Sequence, residues 1–312
     1  MIPTDILQSV RTLVLHDHCA DGLASALLLR DALPNVELLF AQYGSPAHRE
    51  LPATPGMLFC DFSPPLERAE EFARAGAVVL DHHRTAEPVV RAMGERGIFG
   101  DEALDPGVCG AVLAYRHVWQ PLRRGDGSDV NALDAFAERF ATLAGVHDTW
   151  QTKDARWHAA RAQVELLRFL PREDWLSHTL AEIAQTWDAD VARFGEGLLA
   201  KNEDRVAYTI KGAHRFTTPA GKRVVAFEGT SISSDAAEAI DKDADIVVGF
   251  GFGVEAGQPK MRFSVRSHTG FDCAAFARER GGGGHTAAAG FAVMLTPSDP
   301  HPYAMVERLF AS

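Results

Sequence analysis

The 312 residues, 46% of them hydrophobic and 23% charged, are enough for two ordinary domains with a core each and give disorder no support. No stretch approaches the roughly 20 apolar residues of a bilayer span, and the start Met1-Ile2-Pro3-Thr4-Asp5 lacks a basic, apolar leader, so a soluble cytoplasmic protein with no membrane partner is expected. A formal charge of −11 argues against the basic footprint of a protein that grips long nucleic acid, so a phosphate-bearing partner is expected to be short, or to be met by metal ions and a few local arginines.

In chain order, Leu13-Val14-Leu15-His16 is a short apolar run followed by a glycine-containing turn and a helix-like segment, Leu23 to Leu33. Val36 to Phe40 and Met57 to Asp61 read as strands, Pro64 to Ala75 as a charged helix, and Ala77 to Asp81 as another strand. Short continuous apolar runs separated by helices are the pattern of buried parallel strands, so an α/β domain with a mostly parallel sheet is expected. From Gly110 to Leu199 the pattern is helical, and Leu198 to Asp204 marks the boundary. Beyond it, Val206 to Ile210, Arg223 to Phe227, Asp245 to Phe252 and Lys260 to Arg266 read as strands. Ala236 to Asp241 and Cys273 to Arg280 read as short helices, ahead of the glycine run Gly281 to Gly284. The expectation is a first domain over 1–200 and a smaller α/β domain over 205–312, set across a cleft. Cys19, Cys60, Cys109 and Cys273 form no C-x-x-C pair, which argues against a structural zinc site and a disulfide scaffold.

Three predicted strands end in a residue able to hold a metal: His16, Asp61, and the triplet Asp81-His82-His83. Asp17, His18, Cys19 and Asp21 follow the first strand at once. In open α/β sheets the ligand crevice lies beyond the carboxyl ends of the strands. One Asp at a strand end is ordinarily a helix cap, but three such ends together call for a cation to offset their mutual repulsion and desolvation. Oxygen ligands with one or two nitrogens suit manganese, magnesium or iron, and a carboxylate-bridged metal pair is the usual arrangement for phosphoryl hydrolysis. His147-Asp148-Thr149-Trp150, closing a helix, is the source of one further acid.

The segments His16 to Ser25, Asp61, Asp81-His82-His83 and Asp148, in that order, resemble the four motifs of the DHH phosphoesterase superfamily. Phe263 to Ser267, Gly281 to His285 and Ala287 to Phe291 are similar to the DHH-associated substrate domain, so the resemblance spans nearly the whole chain. It implies an enzyme in which His16 binds a first metal, Asp21, His82 and Asp148 a second, and Asp61 bridges both. Asp81 would orient the neighbouring histidine and His83 would contact the scissile phosphate. The implied cofactors are two divalent ions, manganese or alternatively magnesium, which activate a hydroxide for in-line attack on phosphorus. The first motif departs from the family's H-x-x-x-D-x-D: Cys19 stands at the first Asp, and His16 lies one residue closer. Cys19 or Asp17 would then complete the first site, or Cys19 is simply a small turn residue.

Consecutive glycines let a backbone approach a ligand and turn successive N–H groups toward an anion. Gly282, Gly283 and Gly284, with His285 and Arg266, are therefore candidates for holding a terminal phosphate or nucleotide, against the alternative of a plain glycine turn. Arg84 and Trp150 are further candidates for phosphate contact and base stacking, with an exposed ion pair and a buried aromatic as their ordinary readings. The expected substrate is a short oligonucleotide or dinucleotide. Pyrophosphate or polyphosphate hydrolysis, single-strand exonuclease action and non-catalytic sensing of a nucleotide signal are the alternatives, and homodimerisation is left open.

Overall fold

The computed structural model describes residues 2–17, 19–123, 131–240, 244–255 and 257–311. His18 and Asp241, named above, lie outside the described residues, as does the side chain of His285. The chain divides into two compact units, Met1–Leu199 and Ala200–Ser312.

The first unit opens with α1 (Thr4–Gln8), β1 (Thr12–His16), α2 (Ala20–Ala32), β2 (Glu37–Ala41), α3 (Pro46–Arg49), β3 (Met57–Cys60), α4 (Ala69–Arg74), β4 (Val78–Asp81), α5 (Glu87–Ala92) and β5 (Gly97–Phe99). Helices follow: α6 (Gly110–Ala114), α7 (Gln120–Arg123), α8 (Asn131–Asp148), α9 (Trp157–Phe169), α10 (Arg172–Leu176), α11 (Leu180–Asp190) and α12 (Glu196–Lys211), which runs on into the second unit. The strands form one five-stranded parallel sheet in the order β2-β1-β3-β4-β5. Alternation along β1 sends Leu13 and Leu15 into a core with α2, α6 and α8. Val14 goes to the opposite face with Phe59, Val79 and Phe72. Because β1 lies between β2 and β3, the chain changes direction across the sheet there. The carboxyl ends of β1 and β3 flank that switch point, where an open α/β sheet places its ligand crevice.

The second unit carries β6 (His214–Thr217), β7 (Arg223–Glu228), α13 (Ser233–Ile240), β8 (Ile246–Glu255), β9 (Gln258–Arg266), α14 (Cys273–Arg278), β10 (Gly283–His285), β11 (Ala288–Met294) and α15 (Pro302–Leu309). Its sheet has the order β10-β11-β9-β8-β7-β6, antiparallel except for the β7–β8 pair. Val224, Val248 and Phe263 pack on one face, Val225, Phe227 and Val247 on the other.

One expected strand is corrected. Val206 to Ile210 belongs to α12. Val206 is buried with Phe227 and Ile232, and Ile210 packs on the same cluster. Their spacing of four is the helical repeat, and it outweighs the strand propensity of Val, Tyr, Thr and Ile. Three short strands, β5, β6 and β10, fall where the sequence suggested none.

Candidate metal centre

Four of the site residues sit where a regular element stops, while Cys19 and Asp21 lie at the start of α2. His16 is the last residue of β1, Asp61 follows β3, Asp81 closes β4, and Asp148 closes α8. Asp61 has φ 54°, a left-handed conformation that Asp tolerates better than most residues, and it turns the carboxylate into the crevice. Gly22, in the first turn of α2, lets that helix pass against β1, since a Cβ there would come within 2.3 Å of the His16 carbonyl oxygen.

Two ligand sets meet at Asp61, and His83 also groups with Asp61 and His82. In the first, His16 Nδ1 faces Asp61 Oδ2 at 3.5 Å, and Cys19 Sγ joins them in a group whose ligand atoms all lie within 4.8 Å of one another. In the second, His82 Nε2 is 3.3 Å from Asp148 Oδ2 and 3.9 Å from Asp21 Oδ2, and also 3.3 Å from the other Asp61 oxygen, Oδ1. Asp21, Asp61 and His82 are buried, whereas the Asp148 side chain is 27% exposed.

The electrostatics of this cluster are adverse without a cation. Burial pushes the Asp21 carboxyl well up, with Asp61 and Asp148 adding to it, and burial likewise raises Asp148. The Cys19 thiol is raised by burial and by the same three carboxylates. Burial would raise Asp61 too, but the facing His16 and His82 rings hold it well below the carboxylate range. His82 is raised against its burial by Asp61, Glu102 and Asp148. Asp61 Oδ2 and His16 Nδ1 are buried without a hydrogen-bond partner. Each such group costs about 1–3 kcal/mol unless something satisfies it. Carboxylate, imidazole and thiol donors converging on unsatisfied atoms fit divalent cations.

The surroundings fix the ligands. Asp21 accepts hydrogen bonds from the backbone N–H groups of Gly110 (2.6 Å) and Ala111 (2.8 Å) at the start of α6, and from the Cys109 thiol (2.9 Å). Gly110 is required there, because a Cβ would lie 2.4 Å from that of Asp61. Asp81 does not hold the adjacent His82. Its Oδ1 accepts from the His83 backbone N–H (3.0 Å) and faces His83 Nδ1 at 2.7 Å, and its Oδ2 accepts from Ser63 (2.6 Å) and Tyr43 (3.0 Å). His82 Nδ1 instead faces Glu102 at 3.3 Å. Glu102, Tyr43 and Ser63 are absent from the sequence expectations; Tyr43 lies just past β2, whereas Glu102 follows β5, a strand that the sequence did not suggest.

Other candidates lie apart from the ligand sets. Asp17 pairs with Arg172 at 2.5 Å. Arg84 is largely exposed beside Glu87 and Asp101. Trp150 packs edge-on against Trp157 and His147.

In the second unit Arg266 ends β9 and donates to Ser234 Oγ (2.9 Å) and the Val265 carbonyl (3.0 Å), and burial lowers its pKa. The glycines divide by role. A Cβ on Gly282 would lie 2.1 Å from the Gly290 oxygen, and one on Gly284 would lie 2.5 Å from the Ala288 oxygen, so both are needed for β10 to pack on β11. Gly283 faces open space, which leaves it free of that packing demand.

No family model and no curated protein matches this sequence. Solved structures do. The DHH domain of a protein assigned to a family of ribosomal proteins aligns with TM-score 0.57 at 12% identity, over 97% of this chain and 86% of the other. The chain has the DHH fold. A pGpG-specific phosphodiesterase from Vibrio cholerae aligns at 0.52 and 12% identity, over 96% and 98% of the two chains. An exopolyphosphatase-related protein from Bacteroides fragilis aligns at 0.51 and 14%, over 98% and 94%. Within the DHH fold, the motif residues of this chain converge on Asp61. Among the described residues, no helix is long and apolar enough to cross a membrane.

Proposed function

We propose that the chain is a cytoplasmic, metal-dependent phosphoesterase of the DHH superfamily that cleaves linear dinucleotides and very short oligonucleotides, and removes phosphate from nucleoside bisphosphates. The observation that carries this reading is the pair of ligand sets sharing Asp61, one on each carboxylate oxygen. His16, Cys19 and Asp61 would hold one ion, and Asp21, Asp61, His82 and Asp148 the other, with manganese the expected metal and magnesium the alternative. Such ions supply a nucleophile from water near neutral pH and offset charge at phosphorus.

The chain's own residues do the rest. Asp61 fixes the spacing of the two ligand sets. Glu102 fixes the His82 ring through Nδ1 and leaves Nε2 facing the carboxylates. In the metal-free chain Asp81 raises His83 to about 9 against the opposing effect of burial, and a protonated ring there suits a phosphate oxygen. Arg266, Gly283 and His285 are the proposed holders of a terminal phosphate. The net charge of −11 supports a short substrate, and the Vibrio neighbour is described as acting on a dinucleotide, pGpG. Four unpaired cysteines are in keeping with the cytoplasm.

A panel of dinucleotide, longer oligonucleotides, nucleoside bisphosphate, pyrophosphate and polyphosphate, each with manganese, tests the proposal. Turnover is expected to be greatest on the dinucleotide and to fall as the strand lengthens, with apparent affinity depending weakly on salt. Preference for polyphosphate or pyrophosphate, or processive degradation of long strands with a steep salt slope, would replace the substrate assignment.

A further inference from the structure

The two ligand sets differ in chemistry. The second offers two carboxylates and an imidazole, Asp21, Asp148 and His82, beside the shared Asp61. The first offers one imidazole, one thiol and the other Asp61 oxygen. Cys19 differs from the remaining cysteines. Cys60, Cys109 and Cys273 are buried, and each donates to a carbonyl or carboxylate oxygen within its own surroundings. Cys19 is partly exposed, and its sulfur groups with His16 and Asp61, the residues that carry two buried atoms without a hydrogen-bond partner, His16 Nδ1 and Asp61 Oδ2. Asp61 is 1% exposed, so water has little access to that oxygen. A buried carboxylate oxygen and a ring nitrogen that face each other at 3.5 Å with no hydrogen-bond partner, beside a sulfur, are donors that could surround one cation.

We propose that the first site binds its ion through the Cys19 sulfur and selects a thiophilic divalent cation of the zinc or iron(II) class, while the second keeps a harder ion such as manganese or magnesium. The inference rests on the metal-centre reading above and replaces the manganese of its first site with a thiophilic ion. Thiolate ligands favour zinc and iron, whereas carboxylate-rich sites suit magnesium and manganese. On binding, the S–H bond of Cys19 is exchanged for a sulfur–metal bond and the proton leaves to water.

Cobalt(II) titration of the metal-free full chain, followed by absorption, is the test. One equivalent of cobalt should produce a near-ultraviolet sulfur-to-cobalt band. The band should vanish in Cys19→Ser and Cys19→Asp while visible cobalt absorption persists, and should survive in Cys109→Ser and Cys273→Ser. Cys19→Asp retains a ligand at the position, so it decides the matter if the Ser variant fails to fold. Competition between zinc and magnesium should show the zinc preference of Cys19→Asp reduced by roughly 10–100-fold, the scale on which changing a metal's surroundings acts. Visible cobalt absorption without a sulfur band in the wild-type chain, or a band that persists in a folded Cys19 variant, overturns the sulfur ligand and leaves the two-metal reading standing. Failure of the wild-type chain to bind cobalt at all overturns both.

Discussion

Asp81 engages both carboxylate oxygens within the protein, one toward His83 and one toward Ser63 and Tyr43, and this sets the charge of His83. The ring's pKa rises from 6.5 to about 9. A group raised on folding stabilises the folded chain fully below its unfolded value and loses that contribution as pH climbs through the folded one. The metal-free chain should therefore lose this part of its stability between about pH 6.5 and 9, which denaturant unfolding against pH would read. Asp81→Asn removes the charge that holds the imidazolium, so the NMR titration of His83 in the metal-free chain should move down toward 6.5. An unchanged His83 titration in that variant would show that Asp81 is not the cause.

At the scale of elements, the site depends on how closely α6 approaches the sheet. Gly110→Ala puts a methyl within 2.4 Å of Asp61 Cβ and 2.8 Å of Asp21 Oδ2. The expected cost is about 1–3 kcal/mol in denaturant unfolding, as for other overpacked sites, together with weaker metal binding. A variant with wild-type stability and metal affinity would mean that the helix is not held there. The glycine run makes a paired case: Gly282→Ala should destabilise by a similar amount, roughly 1–3 kcal/mol, whereas Gly283→Ala should stay within about 0.5 kcal/mol, as surface changes usually do. Equal effects would contradict the division of roles. Much of this was legible in the sequence. Apolar runs with a ligand-type residue at the end gave the parallel strands and the residues that converge on Asp61, because buried parallel strands have few other sequence solutions. Glu102 and Tyr43 escaped because they lie two or three residues past short or partly exposed strands, and one acidic or aromatic loop residue carries no periodic signal. Val206 to Ile210 misled because five residues of β-favouring composition are too few to separate a period of two from a spacing of four. The need for Gly110, Gly282 and Gly284 came from backbone approaches that spacing along the chain does not encode.

At the scale of the molecule, 42 acidic residues against 31 basic ones leave a chain that repels extended polyanions. Three carboxylates, Asp21, Asp61 and Asp148, add to that repulsion within one site, and cations bound there would reverse it locally. Phosphate recognition in this account is therefore concentrated at the ions and a few side chains, which favours one terminal phosphodiester over a long strand. Metal stoichiometry measured alongside dinucleotide hydrolysis, in the wild-type chain and in Asp61→Asn, tests that centre most directly. The account predicts two divalent ions per wild-type chain with hydrolysis, and for a folded Asp61→Asn the loss of at least one ion and of turnover. A wild-type chain that holds no divalent ion, or an Asn variant that keeps both ions and near-normal turnover, would contradict it.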